Sequence, residues 1–150
     1  MRFAEDEREV LVAELTAVRD QAPSDGVRAM CERLLAGLAA EELPSELEDP
    51  LGGLLEAGLE SGRIRRVHRA DGETAALRAY SRLPRGRAVA ESTRAVNGAL
   101  EAVAGQVLRS VSVRSRGPGR YAVTVETETT QLTIWVDRAG AEVHTMEVSG

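Results

Sequence analysis

The chain has 150 residues, a net charge of −5, 43% apolar and 29% charged residues, and only 3% aromatics. That length suits one domain burying about two-thirds of the surface its unfolded form exposes, and so few aromatics leave the core to aliphatic side chains and alanine. A base-stacking reader of single strands is disfavoured, because it needs aromatic platforms and Phe3, Tyr80, Tyr121 and Trp135 stand far apart in the sequence; nucleic acid remains a possible but less favoured partner.

All nineteen basic residues are arginine, a pattern that reads as the codon bias of a GC-rich genome. Cys31 is the single cysteine, so neither an intrachain disulfide nor a cysteine-rich metal site can form, and a reducing, cytoplasmic setting fits best. The start, "MRFAEDEREV", is acidic and lacks the apolar run of a secretory signal. No later stretch approaches the ~18 apolar residues of a membrane span, so no membrane partner is expected.

Charge is unevenly spread. Residues 1–62 hold five Arg against fifteen acids, residues 63–94 nine against three, and residues 95–150 five against six. Such sign asymmetry bears on partners.

In chain order, Leu11, Leu15 and Val18 form a helical stripe behind an acidic first turn, extended by Ala4 and Ala22 and stopped by Pro23. Ser24 or Asp25 can cap a second helix with Val27, Met30, Leu34 and Leu38 on one face and Cys31 beside them as a small core residue. After the connection "AAEELPSELEDP", a third helix is expected, capped by Asp49, with Pro50 at its first position, Leu51, Leu54, Leu55 and Leu59 as its stripe, and Gly62 as its end.

Residues 63–82 admit two readings. In the first they make a β-hairpin turned at Asp71-Gly72, which resembles the wing of a winged-helix DNA-binding domain. A two-residue turn would set Arg65 opposite Arg78, a like-charge pair that weakens a sheet. In the second, favoured by the helix formers in "ETAALRAYSRL", a short strand over residues 64–68 precedes a helix over 73–83 capped by Asp71 and stopped at Pro84. Ala76, Tyr80 and Leu83 then share one side, with Arg78 and Arg82 opposite.

A long helix over residues 86–108 follows, with Val89, Val96, Leu100, Val103 and Val107 on one side and a small-residue stripe beside it. The rest alternates with period two through Val111 and Val113, then Tyr121, Val123 and Val125, then Leu132, Ile134 and Val136, and ends in "AEVHTMEVS". Turn signals at "RGPG", "ETTQ" and "RAGA" make these four strands an antiparallel meander. The expected fold class is α+β, with about three N-terminal helices, then a long helix packed on a four-stranded antiparallel β-meander. The division expected is an acidic helical segment over 1–62, an Arg-rich connector over 63–84 and a helix-plus-sheet part over 85–150, within one compact domain. This helix-then-meander plan resembles that of cystatin-like folds over about the last 65 residues, an architecture shared by many functions.

No Gly-rich phosphate loop, nucleophile elbow, paired metal-ligand motif or Cys-His couple is present in the sequence, so no catalytic, cofactor or metal residue is expected. His68, in a basic stretch, reads as a surface residue. His144 could support catalysis only by meeting an acid such as Glu126 or Asp137. Trp135 lies opposite the Leu132, Ile134 and Val136 face of its strand, so either a second layer covers it or it is an exposed anchor. The expectation is a non-catalytic protein-interaction or adaptor domain that binds an acidic protein surface or self-associates, through Arg63, Arg65, Arg66, Arg69, Arg78, Arg82 and Trp135. The alternative is a winged-helix-like DNA-binding regulator using residues 63–82 as a basic wing. That reading is weakened by the preceding "DPLGGLLEAGLESG", which carries acids and no Arg where a recognition helix should be basic.

Overall fold

The structure, a computed structural model, describes residues 1–137 and 140–148. The chain forms two units, Met1–Arg87 and Ala88–Gly150.

The first unit is helical. It holds α1 (Glu5–Asp20), α2 (Asp25–Ala39), a 3-10 turn (Ser45–Leu47), α3 (Glu48–Glu60), α4 (Arg63–Arg82) and the first turn of α5 (Pro84–Ala102). Glu5, Asp6 and Glu7 occupy the first turn of α1, where unsatisfied N–H groups favour negative charge. The Glu7 carboxylate accepts the Ala4 N–H at 2.8 Å. Ser24 is the cap of α2, its Oγ accepting the Val27 N–H at 3.4 Å. α3 starts at Glu48 rather than after an Asp49 cap, because the 3-10 turn runs straight into it. Pro50 still lies in the first turn, where a missing N–H costs nothing. Gly62, at φ +66°, takes the left-handed step that a side chain resists and lets α4 begin at once.

Leu11, Leu15, Cys31, Leu34, Leu38, Leu43, Leu51, Leu55, Ile64 and Leu83 are buried together, each large side chain contributing about 1.5–3 kcal/mol. On α4 the buried face is Gly72, Ala75, Ala76 and Ala79, small residues that let it close on both α1 and α3. A Cβ on Gly72 would collide with His68, and one on Gly86 with the backbone carbonyl of Tyr80.

Of the two sequence readings of residues 63–82, the hairpin is overturned, and the favoured one holds for its helix before Pro84 but not for its strand. The strand over 64–68 is helix, and no hairpin turns at Asp71-Gly72. Ile64 and His68, four apart, share the inward face of the helix, while Arg66, which a strand would place on their side, is turned out to solvent. The helical run is broken at Arg69, whose φ of 60° and ψ of −164° are not helical. The second segment therefore begins just past Arg69, ahead of the expected Asp71 cap.

The second unit carries the rest of α5 and the sheet, β1 (Leu108–Gly117), β2 (Arg120–Thr127), β3 (Thr130–Asp137) and β4 (Gly140–Val148), antiparallel in the order β1-β2-β3-β4. The expected α+β architecture is what forms, with four helices ahead of the long one instead of three. The turns at Pro118-Gly119 and Glu128-Thr129 fall where "RGPG" and "ETTQ" put them; the "RAGA" turn begins at residues 138 and 139, outside the described residues. α5 ends at Ala102, six residues short of expectation, and Leu108 already belongs to β1.

The register builds two unlike faces. On one, Val113, Val123, Ile134 and Val143 form a row across the strands, and Val111, Val125, Leu132 and Met146 another. On the other, the rows are Arg114, Ala122, Trp135 and Glu142, then Ser112, Thr124, Thr133 and Thr145. α5 packs Val96 and Ala99 over Leu132 and Ile134, while Leu100 is 37% exposed. Its covering face thus mixes the valine and small-residue stripes.

Candidate functional site

The six arginines singled out in the sequence are placed by α4, and its helical form decides which of them meet α1. Glu7 and Glu14 of α1 are buried, at 4% and 5% exposure, a position a carboxylate holds only when paired. Arg63 Nη2 lies 2.6 Å from Glu14 Oε2, and the His68 ring nitrogen meets Glu14 Oε1 at 3.0 Å. His68 is therefore a largely buried partner of Glu14, not a surface residue. Its helical turn carries it inward beside Ile64.

Arg82 donates to Glu7 and Arg78 to Asp6, with Arg78 Nε also 3.9 Å from Glu7. Arg82 reaches the Arg2 carbonyl at 3.3 Å, and its guanidinium carbon lies 5.2 Å from the Phe3 ring centre, within cation-π range. So Arg63, Arg78 and Arg82 neutralise the chain's own N-terminal acids.

The other three are different. Arg65, Arg66 and Arg69 are exposed. Arg65 stands 3.6 Å from Glu73 with 71% of its side chain open, a weak surface pairing. Among the described residues, Arg66 and Arg69 have no ion pair. The nearer half of the arginine set is structural and the outer half is open.

Sequence reasoning missed Arg85. Its guanidinium bonds Asp49 at 2.9 and 3.3 Å and Glu56 at 3.0 Å, and those hydrogen bonds, with the charges of the two acids, hold its pKa above the ordinary arginine value. The aliphatic stem lies on Gly52, where an added Cβ would stand 3.2 Å from Arg85 Cδ. The signal was in "DPLGGLLE": Asp49, the two glycines and Glu56 fall at i, i+3, i+4 and i+7 on one helix face. Glu7 and Glu14 were equally legible, since both fall on the stripe of Leu11 and Leu15 and so demand buried cations.

In the sheet unit Trp135 is not a bare anchor. It is half-buried, stacked on the His144 ring with centroids 3.6 Å apart and 18° between planes, and capped by the Arg116 guanidinium 3.5 Å from its ring centre. Ala122 is the neighbour of Trp135 on β2, and Arg116 reaches the indole from β1, two strands away. A register shift between Thr133 and Ile134 leaves His144 as the extra residue of β4, and such a bulge re-aims a side chain. A cleft of about 280 Å³ beside the indole is lined by Arg116, Arg120, Tyr121, Trp135, Asp137 and Glu142. His144 is not among its walls.

Cys31 is fully buried on α2. Burial, and secondarily Glu32, push its thiol pKa up against the pull of Arg19, the reverse of an activated nucleophile. Among the described residues no three His, Cys, Asp or Glu side chains gather as a metal site, and no helix is long and apolar enough to cross a membrane.

Fold and site together define a two-unit α+β chain in which one arginine-rich helix is half fastened to an acidic neighbour and half presented to solvent. No known protein family, curated protein or solved structure matches the chain.

Proposed function

We propose that the protein is a non-catalytic interaction module whose helical unit takes up an acidic protein surface through Arg65, Arg66 and Arg69. The observation that carries this reading is the exposure of Arg66 and Arg69 without an ion pair among the described residues, beside Arg65 and next to three arginines already satisfied. Arg69 adds support. A non-glycine residue at φ 60° costs on the order of 1–3 kcal/mol, and such strain gathers at sites that use it. Here it falls at the break between two helical segments, among the open guanidinium groups. Carboxylates suit them as partners, because guanidinium offers paired donors to a planar anion.

The experiment is fluorescence anisotropy with a labelled oligoglutamate peptide, with labelled duplex DNA measured in parallel. The Arg65→Ser, Arg66→Ser, Arg69→Ser triple variant should lose roughly tenfold or more in peptide affinity while its helical CD signal stays as in the parent. Equal binding by parent and variant removes these residues from the reading. Tighter binding of duplex, with a steep salt slope, replaces a protein surface by nucleic acid.

A further inference from the structure

We infer that the sheet unit pairs with a second copy of the chain, edge to edge and antiparallel through β1, with the two-fold axis passing at Ser112. β1 is an edge of the sheet, and open edge strands with apolar side chains invite pairing. Both apolar rows of the sheet run outward to it and stop: Val111 is 56% exposed and Val113 64%, although their neighbours Val125 and Val123 pack into the core.

The register follows from the residues. Ser110 to Ser115 pairs regularly with β2, between irregularities at either end. Opposed residues in an antiparallel pair share a face, so a two-fold across β1 must pass through a residue. An axis at Ser112 sets Val111 opposite the partner's Val113, twice. It joins Val123 and Val113 to the partner's Val111 and Val125 as one uninterrupted apolar row. Axes at Val111 or Val113 make one valine pair each, and an axis at Arg114 sets two like charges face to face.

The polar face agrees. With the axis at Ser112, Arg114 stands opposite the partner's Ser110, whose cross-strand neighbour is the partner's Glu126. In the single chain Glu126 is exposed and accepts the Ser110 hydroxyl at 3.0 Å. Arg114 reaches it from two strands away, as Arg116 of β1 reaches Trp135 of β3 within one sheet. Symmetry makes this contact twice. The arginines of β1 would otherwise repel a second β1, and here each Arg114 has serine opposite and a carboxylate beyond.

The test uses the full chain in sedimentation equilibrium. The parent should fit a monomer–dimer equilibrium. Glu126→Arg should weaken the dimer roughly tenfold or more, and adding Arg114→Glu in the same chain should restore it, a rescue that general loss of fold cannot produce. Val113→Thr keeps a β-branched residue at an exposed position and should also weaken it. Under mild oxidation Ser112→Cys should give a covalent dimer, since opposed Cα atoms about 4.5–5.5 Å apart lie within disulfide reach and Cys31 is buried. A monomer at all concentrations overturns the inference. So does a dimer indifferent to Glu126 and Val113, or an open series of larger species, which would mean β1 pairing head to tail with β4. None of these outcomes touches Arg65, Arg66 or Arg69, so the two proposals stand or fall separately.

Discussion

The helical unit and the sheet unit differ in how far each closes on itself. Among the described residues, the first buries fifteen apolar residues in one cluster and the second three, namely Val96, Leu132 and Ile134. The first also turns its charges inward upon each other, with Glu7 and Glu14 buried against Arg82 and Arg63. The second leaves Val107, Leu108, Val111, Val113 and Val148 more than half exposed. Four helices surround a volume, whereas one helix laid on one face of a four-stranded sheet covers only part of it. Outside contacts can therefore add stability in two places. Apolar area remains to be buried on the sheet, and uncommitted charge remains on the outer side of α4.

The largest expected break of that contrast is Leu11→Ala. Leu11 is fully buried, and removing such a side chain costs about 2–5 kcal/mol. Two built-in reporters separate the units: Cys31 lies in the first and Trp135, the single tryptophan, in the second. Labelling of the protected Cys31 thiol by a maleimide should accelerate strongly in Leu11→Ala. If labelling is as slow as in the parent, the helical unit is not the tightly closed one.

Next comes Arg63→Ala. It leaves Glu14 inside with His68 as its remaining contact, and stranding one member of a buried pair costs about 3 kcal/mol. Urea unfolding followed by the helical CD signal measures this, and Arg66→Ser in the same assay should fall within about 0.5 kcal/mol of the parent. Equal losses in the two variants would erase the division between fastened and open arginines.

A smaller effect belongs to the sheet. Ile134→Val should cost about 0.5–1.5 kcal/mol and should move Trp135 fluorescence unfolding, because the two side chains project from opposite faces of the same strand. A loss as large as that of Leu11→Ala would show the sheet core to be as tight as the helical one. The smallest and opposite in sign is Arg69→Gly. Glycine accepts a positive φ without steric cost, and relief of strain should raise stability by up to about 1 kcal/mol. A thermal melt checks it, and a fall instead would mean that the Arg69 side chain contributes more than its backbone costs.

How much of this was legible varied by element. The stripe of Leu11, Leu15 and Val18, the Ser24 cap and the alternation in β2 and β3 were readable because hydrophobic period and capping chemistry are local. Residues 63–68 were not. "RIRRVH" has no helical stripe of its own, since its inward residues are one isoleucine and a histidine that answers to Glu14, fifty-four positions away. The end of α5 was missed because Val103 and Val107 continue the apolar spacing past Ala102, the last residue of the helix.

Local sequence carried the α+β class, the order of helices and strands outside residues 63–68, and the opposition of an apolar and a polar face on β1, β2 and β3, for these follow from backbone period and side-chain polarity within a few residues. Which arginines stand open is settled by packing. Arg63, Arg65 and Arg66 are chemically identical and nearly adjacent, and what separates them is a helical rotation that turns the first toward a carboxylate on α1 and the others to water. Long-range pairing is a property of that rotation and of the packing that fixes it, neither of which composition or spacing encodes.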